Sequence, residues 1–148
     1  AGDVAALVRA RAARVLVASP RARATRHGPA LDALVFSAHD RDEAAWAAEA
    51  GDRARLLVAT DNGRGGSWTG ESEGTWAPVE PPGAIVDSFG CGDTFVAALT
   101  FGLASGMTIA DAAGLGARWG ARALTYAGAP SPLGQREPGS EPPPDPAG

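Results

Sequence analysis

The sequence predicts an α/β domain built on a mostly parallel sheet, and three features point to it. Short apolar runs at Arg14–Ser19, Ala33–Ser37 and Arg55–Thr60 each end in a turn and alternate with alanine-rich segments of helical spacing. These runs lack polar alternation, as expected of parallel strands buried on both faces. The glycine-punctuated stretch Gly65–Pro82 then carries Trp68 and Trp76 on either side of a polar tip at Gly70–Gly74, the pattern of a β-hairpin at a sheet edge.

In chain order, Gly2–Ala13 is a helix with a stripe of Val4, Leu7 and Val8, and Pro20 stops the first strand. A charged turn follows the second strand and leads into a helix from about Asp42 to Ala50; the third strand ends in Asp61-Asn62-Gly63. After the hairpin, Ala84–Val86 is expected to form a last short strand. Helices are expected from about Gly92 to Ser105, ended by Gly106, and from Thr108 to about Tyr126. Thr108 and Asp111 have capping-box spacing. Gly114-Leu115-Gly116 lies inside that helix and is read as close helix packing; Trp46, Trp119 and Tyr126 are read as core, and His27 and His39 as loop residues. Seven of the twelve prolines fall in the last nineteen residues, so residues 1–130 are read as the domain and 131–148 as a disordered tail.

Composition narrows the chemistry. The 148 residues include thirteen arginines and no lysine against seventeen acidic residues, a net charge of −4. Without cationic surplus, neither nucleic acid nor an anionic membrane is an expected partner. Without lysine there is no P-loop, no strand lysine of a protein kinase and no Schiff base. The single cysteine, Cys91, excludes an internal disulfide and fits a cytoplasmic protein; two histidines and one cysteine cannot build a structural zinc site. The longest uncharged run, Thr94–Ala110, is read as a buried helix, no signal peptide is expected, and the start at Ala1 implies residues upstream.

The chemistry is sought in Asp87-Ser88-Phe89-Gly90-Cys91-Gly92-Asp93, just before an apolar helix. Glycines spaced by one residue turn the backbone sharply and expose amides at the helix N-terminus, where an anion such as phosphate fits. Asp93, in the first turn, stands at the rim of that hole and there can take a proton from a hydroxyl. The same residues also serve as a plain turn and helix cap. Gly70-Glu71-Ser72-Glu73-Gly74 matches a nucleophile-elbow pattern, but no helix follows it and both histidines precede Ser72, so it is set aside.

The segment Asp87–Asp93 resembles the Asp-Thr-x-Gly-Ala-Gly-Asp signature of the ribokinase-like (PfkB) family of carbohydrate and nucleoside kinases, with Ser88 for Thr and Cys91 for Ala. Both aspartates and both glycines match, and the order of elements from Val15 to about Ala129 is similar to the family's C-terminal half. The resemblance implies a ribokinase-like three-layer α/β/α fold, here partial, with a mostly parallel sheet and an edge hairpin. It implies Asp93 as the base for the acceptor hydroxyl and Gly90, Cys91 and Gly92 as the anion hole. It also implies Asp87 near a monovalent cation (K+) in members activated by one. Thr60-Asp61-Asn62-Gly63-Arg64-Gly65 resembles the family's Thr-x-Gly-x-x-Gly nucleotide loop, implying ATP contacts at Thr60, Asn62, Gly63 and Gly65, with Asn62 in place of glycine. Asn tolerates the left-handed conformation such a turn needs. Asp40-Arg41-Asp42-Glu43 resembles Asn-x-x-Glu, whose glutamate orients magnesium (Mg2+) through water; an acidic helix start is equally what the dipole favours.

The function expected from the resemblance is transfer of the γ-phosphoryl group of ATP to a sugar hydroxyl. The alternative is a non-catalytic nucleotide-binding remnant. The family's early Gly-Gly motif has no match, so the N-terminal sugar-binding half and lid are expected to be missing, turnover by this chain alone is expected to be poor, and a homodimer is expected only of the full-length form.

Overall fold

In the computed structural model, which describes residues 4–128, the elements run α1 (Val4–Ala10), β1 (Val17–Ala18), β2 (Leu31–Ser37), α2 (Arg41–Ala50), β3 (Ala54–Thr60), β4 (Gly66–Gly70), β5 (Gly74–Trp76), α3 (Cys91–Ala104) and α4 (Ile109–Ala123). They build one sheet in the order β1-β2-β3-β4-β5. Its first three strands are parallel, with Val17 opposite Ala33 and Val35 opposite Val58, and the hairpin β4–β5 continues it antiparallel.

Period-two alternation assigns residues to layers. Ala33, Val35, Leu56 and Val58 pack with Trp68 against Phe95 and Leu99 of α3 and Ala112 and Ala113 of α4. Leu34 faces the other way, packed with Leu16, Ala47 and Ala50, with Phe36 and Leu57 partly buried beside them. Helices therefore cover both faces of the sheet, the three-layer α/β/α arrangement expected. On the α3–α4 side Trp76 stacks between Trp68 and Phe95, with centroids 6.4 Å and 5.4 Å apart. The two helices approach closely because Gly116 leaves no Cβ; one there would stand 2.9 Å from the Phe95 ring.

Local signals account for most boundaries. Gly106, at φ 84°, ends α3 with the two reverse bonds of a Schellman motif, Gly106 N–H to Leu103 O and Met107 N–H to Gly102 O. The Thr108 hydroxyl accepts from the Asp111 amide at 3.1 Å, while the Asp111 carboxylate turns to that hydroxyl instead of the cap amide.

Four expectations need correction or restriction. Ala84–Val86 is not a strand of the sheet: the Val86 and Asp87 amides both donate to Leu124 O just after α4, and Ile85 and Val86 are exposed. The first helix ends at Ala10, before Ala13, and among its described residues buries none, since Val4 and Val8 meet solvent. Trp119 is 50% exposed under the Arg122 guanidinium and so is not core. The expected tail lies outside the described residues.

Candidate active site

Parallel strands bring their C-terminal ends to one edge of a sheet, where open α/β folds bind ligands. Here that edge carries Pro20 and Arg21 beyond β1, Ser37 at the end of β2 with residues 38–40 beyond it, and Thr60 at the end of β3 with residues 61–65 beyond it. The helix α3 packs against β1, and its first-turn residue Asp93 interacts electrostatically with Arg21.

The α3 N-terminus is open. Gly90 takes the left-handed conformation at φ 79° and provides no side-chain cap. Cys91 N–H makes one long bond of 3.4 Å to Ser88 O, whereas the Gly92 and Asp93 amides have no partner among the described residues. The Thr94 hydroxyl donates to Gly90 O at 2.8 Å and holds the turn. A Cβ at Gly92 would have no atom within 4 Å, so nothing in the chain's own packing there requires glycine. Asp93 is exposed and its carboxylate accepts no hydrogen bond among the described residues. Orphan amides and the helix dipole favour an anion there, and the free carboxylate beside it can take a proton.

Asp87 braces the approach to this turn. Its Oδ1 accepts from Phe89 N–H at 3.0 Å and its Oδ2 from Gly128 N–H at 3.1 Å. These amides hold its carboxyl below the usual aspartate range. Cys91 is a free, half-buried thiol.

The loop after β3 takes the shape its sequence requires. Asn62 stands at φ 49°, left-handed where the resembling motif has glycine. Gly65, at φ 93°, lies so close to the hairpin that a Cβ would meet Trp76 O at 2.2 Å. Thr60 Oγ1 donates to Phe36 O, and Asp61 N–H donates to Gly65 O to close the turn. Arg64 holds Asp61 at 3.0 Å, with His39 against both, and depresses the Asp61 carboxyl below its ordinary value. A cleft of about 440 Å³ opens beside this loop, lined by Ala38, Ala59, Asp61, Arg64, Ser67 and Trp76 among others. It does not reach Gly90–Asp93.

Glu43 is held at both carboxylate oxygens. Its Oε2 accepts from Ser37 N–H at 2.7 Å and its Oε1 from Arg21 Nε. Asp40 caps α2 by accepting from the Asp42 and Glu43 amides and also takes Arg21 Nη2 at 2.9 Å. Each Glu43 oxygen thus accepts one hydrogen bond and keeps a further lone pair; no group of three metal-ligating side chains lies among the described residues. The sequence reading did not single out Arg21; its signal was a cation at the C-terminal end of a parallel strand in a chain without lysine.

The model of the pfkB family carbohydrate kinases matches residues 30–136. An acarbose 7(IV)-phosphotransferase of Actinoplanes sp. is 45% identical over 76 residues, 49% of this chain and 25% of its own length. The inositol 3-kinase of Oryza sativa subsp. japonica is 34% identical over 111 residues, 73% of this chain and 27% of its own. The chain thus spans about a quarter of the length of these curated relatives. Among solved structures, a microbiome-derived acarbose kinase is 30% identical with a TM-score of 0.63, covering 84% of this chain and 47% of its own. A Burkholderia thailandensis nucleoside kinase in complex with inosine, 20% identical with a TM-score of 0.59, covers 74% of this chain and 36% of its own and shares the fold. No helix among the described residues is long and apolar enough to cross a membrane.

Proposed function

The chain belongs to the pfkB family of carbohydrate kinases, and from that premise we propose that it carries the phosphoryl-transfer side of an ATP-dependent kinase acting on a hydroxyl of a sugar or sugar-like polyol. The observation that carries this reading is the open start of α3, where the Gly92 and Asp93 amides are unpartnered and the Asp93 carboxylate is free. Relatives named for acarbose and inositol support a hydroxyl-rich acceptor.

In this reading Asp93 takes the proton of the acceptor hydroxyl as its oxygen bonds to the γ-phosphorus and ADP departs. The Gly90, Cys91 and Gly92 backbone receives the negative charge gathering on the phosphoryl oxygens, at a helix end already polarised to accept it. Thr60, Asn62, Gly63 and Gly65 form the nucleotide loop, supported by its left-handed turn at Asn62 and the cleft beside it. Glu43 holds Arg21 and would orient Mg2+ through water, and Asp87 braces the α3 turn and would stand near a K+ ion, since each carboxylate oxygen keeps a lone pair beside the hydrogen bond it accepts. A cytoplasmic setting suits ATP chemistry and a lone free thiol.

The test is ATP consumption with a panel of sugars and polyols that includes acarbose and inositol, comparing wild type with Asp93→Asn, alongside ATP binding by calorimetry. Equal turnover in the two removes Asp93 as base. Measurable ATP binding without turnover for any acceptor favours the nucleotide-binding remnant.

A further inference from the structure

Deepening the nucleotide reading above and resting on it, we propose that Arg21 is a phosphate-binding residue, its guanidinium set by Glu43 and Asp40 to face the nucleotide phosphates beside Asp93. A guanidinium has five N–H donors. Arg21 gives Nε–H to Glu43 and one Nη2 hydrogen to Asp40; Nη1 and the second Nη2 hydrogen have no partner among the described residues. The side chain is 66% exposed although two carboxylates grip it. A side chain so held has already lost much of the freedom that binding an anion costs, and its free edge matches the bidentate geometry of a phosphate.

Charge at the site makes the same demand. Glu43 and Asp40 pair with Arg21 and Asp93 adds a weaker pull, so three carboxylates act on this one guanidinium. In a chain without lysine an arginine must supply the opposing charge. Arg64, beyond β3, is already committed to Asp61 and His39. Burial gives Glu43 its part: with its carboxylate only 9% exposed and fixed by Ser37 N–H, it anchors Arg21 from below. Glu43 is thereby a positioning residue for Arg21.

The experiment measures ATP affinity calorimetrically at several salt concentrations for wild type, Arg21→Gln, Arg21→Lys, Glu43→Gln and the double variant Arg21→Gln/Glu43→Gln, with thermal melts to establish folding. The double variant keeps a hydrogen-bonding pair without an unpaired buried charge, so it stays informative should Arg21→Gln fail to fold. The expected result is ATP affinity about tenfold to a hundredfold weaker in the double variant than in Glu43→Gln. Its salt dependence is expected to be shallower, a change that a purely structural role would not produce, and Arg21→Lys to recover part of the loss. Equal affinity and salt dependence in the double variant and Glu43→Gln overturn the proposal while leaving the nucleotide reading intact. Failure of the wild-type chain to bind ATP overturns both.

Discussion

Two helices begin near one edge of the sheet, and they begin in opposite ways. At α2 the chain fills its own orphan amides: Asp40 accepts from Asp42 and Glu43, and Arg21 covers both carboxylates. At α3 Gly90 offers no side-chain cap, Gly92 and Asp93 keep their amides free, and the Cβ position of Gly92 faces open space. A helix start left open costs stability that a capping side chain would recover. The contrast separates a helix end closed by its own chain from one whose amides remain available to an anion.

The largest effect is expected at the open end. Asp93→Asn should lower phosphoryl transfer by about 10²–10⁴-fold, about 3–5 kcal/mol of barrier, with ATP affinity kept; steady-state kinetics beside calorimetry check it. At the closed end, Asp40→Ala should cost about 1 kcal/mol of stability through loss of the α2 cap, read by urea unfolding. Removing a cap that was only decorative would leave the midpoint unmoved.

Gly92→Ala exchanges one role for the other. It should stabilise the chain by about 0.5–1 kcal/mol, because alanine suits the first turn of a helix better than glycine. It should also weaken ATP binding, because the new methyl occupies the place of the phosphate. Higher stability with unchanged affinity would place the phosphate elsewhere.

The smallest effect concerns pH. The Phe89 and Gly128 amides lower the Asp87 carboxyl in the folded chain, so the stability it contributes is present above the ordinary aspartate value and lost as pH falls through the lowered one. Asp87→Asn should therefore flatten the acid side of the stability profile below about pH 4, with little change near neutrality; denaturant midpoints across pH test this.

Much of this contrast was legible in the residues. Glycine spacing before an apolar run announced the open helix, and Asp40 with Glu43 announced the closed one, because caps and turns are decided within a few residues. The same locality made Asn62 readable as a left-handed turn. The Arg21 partner of Glu43 was not legible, since it stands 22 positions away in the chain. The strand expected at Ala84–Val86 failed for a related reason: its last amide, that of Val86, meets the carbonyl of Leu124, a long-range contact outside any sequence window.

Periodicity and turn residues were enough to establish the α/β class, the edge hairpin and the uncapped helix start, since each is a property of contiguous residues. Only folding decided that Arg21, Asp40, Glu43 and Asp93 share one electrostatic site and that Trp119 lies outside the core. Those outcomes depend on which surfaces the packed sheet and helices bring together, and that information is distributed over the whole chain.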